Sequence, residues 1–180
     1  MRLLDTGVAT TNGVNDLALA GGVISSGAGQ PSANSLYVVG AISVTNDADQ
    51  DILEMVNGSS ASLTLLELRV TSSLTTDERV QLRLLRRSTT GSGGTAATES
   101  AIDGNNSVTA NCAVSYLVTT PGTAGAVLAA DHWSQLSPYR WVPTPKCEIV
   151  VPPGGRLALN LATAVGATRT WSVTAVWEEY

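Results

Sequence analysis

Apolar residues recur at every second position through most of the chain after residue 35. In a strand formed by residues 79–87, one face would carry Val80, Leu82 and Leu84. The opposite face would carry Arg79, Gln81 and Arg83. The same spacing recurs in 62–71, 108–118, 156–161 and 169–179. A period of two is typical of a strand with one buried face. Because no segment shows helical periodicity, the pattern predicts an all-β protein.

The clearest strands are predicted at the C-terminus. Alternate leucines in 156–162 share one face, and a glycine-containing turn follows. The next strand places Trp171 and Trp177 on one face together with Val173 and Ala175. The chain contains no Phe, so we expect these tryptophans to supply much of the aromatic core. The two segments are predicted to pair as a hairpin.

Short strands separated by Gly/Pro turns, at intervals of roughly 8–12 residues, are typical of a sandwich or barrel. The polar, glycine-rich stretch 88–106 is predicted to be a long functional or mobile loop, and 126–142 to be irregular. We predict a jelly-roll-like antiparallel β-sandwich of about eight strands over residues 36–180. Residues 1–35 contain short apolar clusters between Gly, Ser and Asn. They are predicted to form an extended N-terminal arm, the alternative being an edge strand and loops of the same domain.

The formal net charge of −5 argues against direct nucleic-acid binding, which needs a basic surface. The arginines are nevertheless uneven, since four of them fall at Arg79, Arg83, Arg86 and Arg87. Acidic residues collect at Asp47, Asp49 and Asp51 and at the C-terminal Glu178 and Glu179. The three aspartates are predicted to form a solvated turn, because an EF-hand's glycine and distant glutamate are missing.

Candidate chemistry is sparse. His132 is the only histidine, and Asp131 and Ser134 lie beside it, but adjacency in sequence does not create triad geometry and no Gly-x-Ser-x-Gly elbow is present. Cys112 and Cys147 are predicted to be free buried thiols, with a disulfide between neighbouring strands as the alternative. Two thiols and one histidine are too few for a tetrahedral metal site. We therefore expect no enzyme activity, no cofactor and no metal.

No N-terminal apolar run has the length of a signal peptide, and no window approaches the roughly 20 apolar residues of a membrane span. The sequence therefore predicts a soluble protein, made in a reducing cytoplasm and without a membrane partner.

Three tracts resemble structural proteins of tailed-phage virions, including small jelly-roll head decoration or cement proteins. These tracts are LTLLELRVTSS, LRLLRRSTTGSGGTAATES and PPGGRLALNLATAVGATRTWSVTAVWEEY. The likeness spans roughly residues 62–180. It lies in the general residue pattern and the order of the strands rather than in diagnostic residues.

The resemblance implies a non-enzymatic protein, made in the host cytoplasm, that binds the major capsid protein on the capsid exterior, often as a trimer, and clamps neighbouring subunits. Arginine suits such contacts because its planar guanidinium can pair bidentately with carboxylates. The residues predicted to lie at the capsid or subunit interface are Arg83, Arg86, Arg87, Arg2, Leu3 and Leu4.

The alternative function is a phage tail or head-fibre module that recognises a host glycan or protein. Trp133, Tyr139 and Trp141 fall outside regular alternation and could form a platform on which sugars stack. The alternative interpretation is that these three residues fill the core or anchor a loop.

Overall fold

The computed structural model describes residues 35–45, 50–73, 75, 77–165 and 169–180, with only the backbone described at 41–45. The predicted N-terminal arm therefore lies outside the described residues, apart from Ser35. Within the described ranges the chain forms twelve strands and no helix, so no helix there is long and apolar enough to cross a membrane. The strands are β1 (Ser35–Thr45), β2 (Gln50–Asn57), β3 (Leu63–Ser72), β4 (Arg79–Arg87), β5 (Thr95–Ala96), β6 (Glu99–Ala101), β7 (Cys112–Val118), β8 (Ala124–Ser134), β9 (Tyr139–Trp141), β10 (Ile149–Val151), β11 (Arg156–Leu161) and β12 (Arg169–Glu179).

The strands form two antiparallel sheets of six strands each. Sheet A has the order β9-β3-β12-β1-β6, and β10 pairs with the other end of β3. Sheet B has the order β5-β7-β2-β11-β4-β8. Buried side chains of both sheets form one hydrophobic cluster between them. The predicted all-β sandwich is confirmed.

The strand pairing is nested along the chain. The first strand pairs with the last, β2 pairs with β11, β3 pairs with β9 and β10, and β4 pairs with β8. The segment 88–123 between β4 and β8 supplies β5, β6 and β7, which extend the sheets beyond β2 and β1. Each of the first four strands therefore pairs with at least one strand from the second half of the chain.

Alternation decides which side chains enter the core. The predicted apolar faces of β4, β11 and β12 are confirmed, since all their members are buried: Val80, Leu82, Leu84, Leu157, Leu159, Leu161, Trp171, Val173, Ala175 and Trp177. The indole of Trp171 in sheet A lies 6.2 Å, centroid to centroid, from that of Trp133 in sheet B. Burying an aliphatic side chain contributes about 1.5–3 kcal/mol, so this cluster is the main attraction between the sheets.

The predicted C-terminal hairpin is wrong. Strand β11 belongs to sheet B and lies between β2 and β4, whereas β12 belongs to sheet A and lies between β1 and β3. Alternation specifies which face of a strand is buried but not which strand is its neighbour. The predicted turn after Leu161 therefore does not join two paired strands.

Other strand predictions also need correction. The buried face of β1 presents Tyr37 and Val39, whereas Leu36 is exposed. The register of β3 against β12 shifts at Leu66, which leaves this residue only partly buried. The predicted loop 88–106 contains β5 and β6, and the predicted irregular segment 126–142 contains most of β8 and all of β9.

The two cysteines are both free, but only Cys112 is buried, and Cys147 is exposed. The expectation that both thiols are buried is therefore wrong for Cys147, which follows Lys146 at a left-handed backbone position (φ 74°) rather than lying in a strand. Burial raises the pKa of the Cys112 thiol, and the Glu179 carboxylate acts in the same direction.

We predict that one thiol reacts in the folded protein. The thiolate is the reactive form, so Ellman's reagent should label Cys147 quickly and Cys112 only after unfolding. The variant Cys147→Ser should show no fast-reacting thiol, and denaturant should then expose one. Equal labelling rates for both thiols in the folded chain would contradict the burial of Cys112.

Candidate interaction surface

The outward face of sheet B carries polar residues that a β-bulge brings into line. On β11, Asn160 lies opposite Arg83 on one side and Asp51 on the other. The register of β2 skips Ile52, so Ile52 and Leu53 both enter the core cluster. This extra residue turns Asp51 to the outward face, because a bulge reverses the alternation of the strand beyond it.

Asp51 and Arg87 form a buried, bidentate ion pair on this face. Arg87 Nε donates to Asp51 Oδ2 at 3.0 Å and Arg87 Nη2 to Asp51 Oδ1 at 2.5 Å. Asp51 is 0% exposed and Arg87 8% exposed. Asn160 Nδ2 also donates to Asp51 Oδ1, and Arg87 Nη1 donates to the carbonyl oxygen of Gly122. Burial raises the pKa of the Asp51 carboxyl, and the hydrogen bonds from Arg87 and Asn160 oppose that shift.

Two further groups extend this network. Arg83 donates to Asn160 Oδ1 from Nη2 at 2.7 Å and from Nε at 3.1 Å. Glu54 is buried, and both of its carboxylate oxygens accept the backbone N–H of Gly91 at 3.1 Å. Burial raises the pKa of Glu54, and the Gly91 hydrogen bond opposes that shift. The charged groups at the centre of this face are thus bonded to one another or to backbone.

An open groove lies beside the network, over the paired strands β4 and β8. Its volume is about 370 Å³, and its lining residues are Arg83, Leu85, Arg87, Pro121, Ala124 and Val127. Leu85 is buried, whereas Val127 is 52% exposed. Gly122 is required beside this groove, because a Cβ there would lie 1.8 Å from the carbonyl oxygen of Thr89. Its apolar walls suit an apolar or extended ligand better than a small polar one.

Strand β8 forms the outer edge of sheet B along this groove. It is eleven residues long, and within the described part of the chain it pairs only with β4. Its first nine residues are exposed except for the partly buried Ala129, and Val127 and Leu128 are large apolar members of that set. No residue in Ala124–Ala130 carries a charge. An uncharged strand edge of this kind is a template for pairing with another chain.

The structure does not bring the predicted interface arginines together. Arg83 and Arg87 lie on the outward face of sheet B, whereas Arg86 Nη2 donates to the carbonyl oxygen of Val150 in sheet A. Arg87 was expected to be free for a partner, but it is buried against Asp51 because the bulge in β2 places that carboxylate within reach. An interface role for Arg83 and Arg86 stays a prediction. Arg2, Leu3 and Leu4 lie outside the described residues.

The residues considered for a catalytic triad have separate partners. Tyr139 OH donates to Asp131 Oδ2 at 2.7 Å, and Ser134 Oγ donates to Asp77 Oδ1 at 2.6 Å. The exposed His132 lies 3.2 Å from Gln81 through its Nε2. Burial and the bond to Asp131 raise the pKa of Tyr139.

The acidic clusters are less exposed than the solvated turn predicted for the three aspartates. Asp51 belongs to β2 and is buried, while Asp47 and Asp49 lie outside the described residues. Glu179 is also buried, and its carboxylate accepts the backbone N–H groups of Asn111 and Cys112 and the indole N–H of Trp177. In the part of the chain that is described, no three His, Cys, Asp or Glu side chains are grouped to hold a metal ion.

The three residues considered for a sugar platform are packed into the domain. Trp133 is buried, its ring stands 6.1 Å from that of Tyr139, and its Nε1 donates to the carbonyl oxygen of Ser137. Tyr139 and Trp141 are partly buried against the core cluster. Core filling and loop anchoring are therefore the roles that the structure gives them.

Comparison with known proteins gave no match to any protein-family model, curated protein or solved structure. The function therefore has to be inferred from this surface and from the sequence resemblance.

We predict that Arg87→Ala destabilises the fold strongly. The substitution leaves the Asp51 carboxylate buried without its countercharge, which costs about 3–5 kcal/mol for a buried pair. Denaturant unfolding would measure the loss. Arg69→Ala is the matched control, because Arg69 pairs with Glu67 at an exposed site where a pair contributes about 0.2–1 kcal/mol.

The double variant Asp51→Leu/Arg87→Met separates the charge effect from simple loss of packing. It should lose less stability than Arg87→Ala, since no unpaired charge remains buried. If Arg87→Ala and Arg69→Ala lost similar free energies of unfolding, the Asp51–Arg87 pair would not hold this face together.

Proposed function

We propose that this chain is a non-enzymatic virion structural protein, a capsid decoration or cement protein that binds the assembled shell of a major capsid protein. The observation that carries the proposal is the character of sheet B's outward surface. Its central charges are bonded internally, while an apolar groove and a long uncharged strand edge are presented to solvent. Such a surface is suited to lasting contact with another protein.

The strand order supports a jelly-roll assignment within the sandwich class. A jelly roll arises when a long hairpin folds so that the first strand pairs with the last and the second with the second-last, as β1 with β12 and β2 with β11. Viral capsid and lectin domains use this fold. Because fold alone does not determine function, this order adds to the proposal without carrying it.

The alternative, a fibre module that recognises a host glycan, has less support. Of the four tryptophans and four tyrosines, only Tyr180 is exposed. A single exposed ring does not form the paired stacking surface that sugar recognition uses. The other form of the alternative, recognition of a host protein, is compatible with this apolar surface.

The proposal predicts saturable binding to capsids. Heads purified from a source virus lacking this gene should bind the added chain at regular lattice positions, visible by cryo-electron microscopy, and should become more resistant to heat. Failure of the folded chain to bind such heads, or binding to host cell surfaces alone, would contradict the proposal.

One variant tests the predicted arginine contact within the same assay. Arg86→Glu should raise the dissociation constant for the heads about tenfold or more, the change that a loss of 1.4 kcal/mol produces, and so lower occupancy at subsaturating protein. Arg69→Glu, on sheet A and with a 60% exposed side chain, is the control that should leave occupancy unchanged. Equal occupancy for both variants would remove Arg86 from the interface. Arg87 is not used, because its reversal would disturb the buried pair.

A further inference from the structure

An asparagine–glycine pair, Asn57–Gly58, lies where β2 ends, and it is the only such pair among the described residues. In an unfolded chain this pair is prone to deamidation, because glycine has no side chain to hinder its backbone nitrogen. The nitrogen of Gly58 attacks Cγ of Asn57, loses its proton and expels the side-chain amide as ammonia. Water then opens the resulting succinimide to aspartate or isoaspartate.

The folded chain holds both reacting groups in hydrogen bonds. The Gly58 N–H donates to the carbonyl oxygen of Asn111 at 3.0 Å, and Asn111 Nδ2 donates to Asn57 Oδ1 at 3.0 Å. Asn57 is 2% exposed, and its backbone N–H donates to the carbonyl oxygen of Gly155 at 2.9 Å. The attack requires the Asn57 side chain to rotate out of these bonds and the Gly58 N–H to leave its acceptor. The fold therefore opposes the reaction.

Three backbone carbonyl oxygens surround the side-chain amide nitrogen of Asn57. Its Nδ2 lies 2.9 Å from the oxygen of Ala61 and 3.0 Å from those of Val151 and Pro152. Val151 belongs to sheet A and Asn57 to sheet B, so this amide joins the two sheets. An ionised aspartate has acceptor oxygens only. A carboxylate at this position would bury a negative charge against three carbonyl oxygens, which is costly.

We propose that Asn57–Gly58 is a latent modification site, which the fold keeps unreactive and whose deamidation after unfolding prevents the chain from folding again. Aspartate lacks the amide donors that join the sheets, and isoaspartate also lengthens the backbone at the end of β2. The released ammonia is lost to solvent, so the change is irreversible and the stability of the chain becomes partly kinetic. The site is independent of the proposed capsid function, because neither the groove nor β8 takes part in it.

Peptide mapping by mass spectrometry, after incubation at mildly alkaline pH, tests whether the fold protects the site. We expect deamidation of Asn57 to be at least about a hundredfold slower in native buffer than in denaturant, because openings that expose buried backbone are rare. Asn12–Gly13 is the other such pair in the sequence, and in denaturant it should react as fast as Asn57–Gly58. Equal rates at Asn57 in the native and the denatured chain would overturn the proposal.

Refolding after incubation in denaturant tests the consequence of the modification. Chains that regain protease resistance should lack the change at Asn57, whereas chains that do not regain it should be enriched in it. Incubation in denaturant at mildly acidic pH should preserve refolding, because the Gly58 nitrogen then loses its proton less readily. Refolded chains that carry aspartate or isoaspartate at this position as often as the remaining chains would overturn the proposal.

A variant supplies the reaction product without any incubation. Asn57→Asp should lower the ratio of folded to unfolded chain at least about tenfold, because its buried carboxylate faces acceptors only. Asn105→Asp is the matched control, since it makes the same chemical change at an exposed asparagine and should leave the ratio unchanged. Denaturant unfolding measures both variants. An Asn57→Asp chain as stable as the Asn105→Asp chain would contradict the proposal.

Discussion

The buried ion pair between Asp51 and Arg87 is the interaction on which the outward face of sheet B depends. Removing two charges from water is costly, and their attraction offsets this cost only when the remaining donors and acceptors are bonded. Here Asn160 bonds the carboxylate and the Gly122 carbonyl accepts from the guanidinium. The pair therefore connects β2, β4 and β11 to the segment that leads into β8.

That connection links packing to recognition. Arg87 both closes the ion pair and lines the groove, and Gly122 lies beside Pro121 at the groove's wall. The position of the groove and of the start of β8 is therefore set by a buried charge rather than by apolar packing alone. Once those charges are bonded internally, the apolar side chains and backbone edge of β8 remain available to a partner.

The residue pattern was sufficient for the fold class and for the faces of the best-defined strands. Val80, Leu82 and Leu84 are buried as their spacing indicates, and so are Trp171 and Trp177. It was not sufficient for strand pairing, because alternation carries no information about neighbours. The hairpin predicted from β11 and β12 is therefore absent, and the two strands belong to different sheets.

The interaction surface was harder to predict than the fold. Strand β8 is exposed on both faces over most of its length, so it has no apolar–polar alternation to reveal it. The sequence predicts a partner contact for Arg87 because nothing in it indicates that a bulge at Ile52 turns Asp51 toward this arginine. The one available signal was the long uncharged run at Ala124–Ala130, which contrasts with the arginine-rich strand beside it.

Hydrogen exchange along β8 tests most directly whether this strand is the edge through which the protein binds. In dilute solution, amides of Ala124–Ala130 that point away from β4 should exchange quickly, while those bonded to β4 are protected. When the chain binds purified heads, the outward amides should become protected, and those of the short edge strand β5 should not change. Identical exchange of the outward β8 amides in the free and the head-bound chain would contradict the claim.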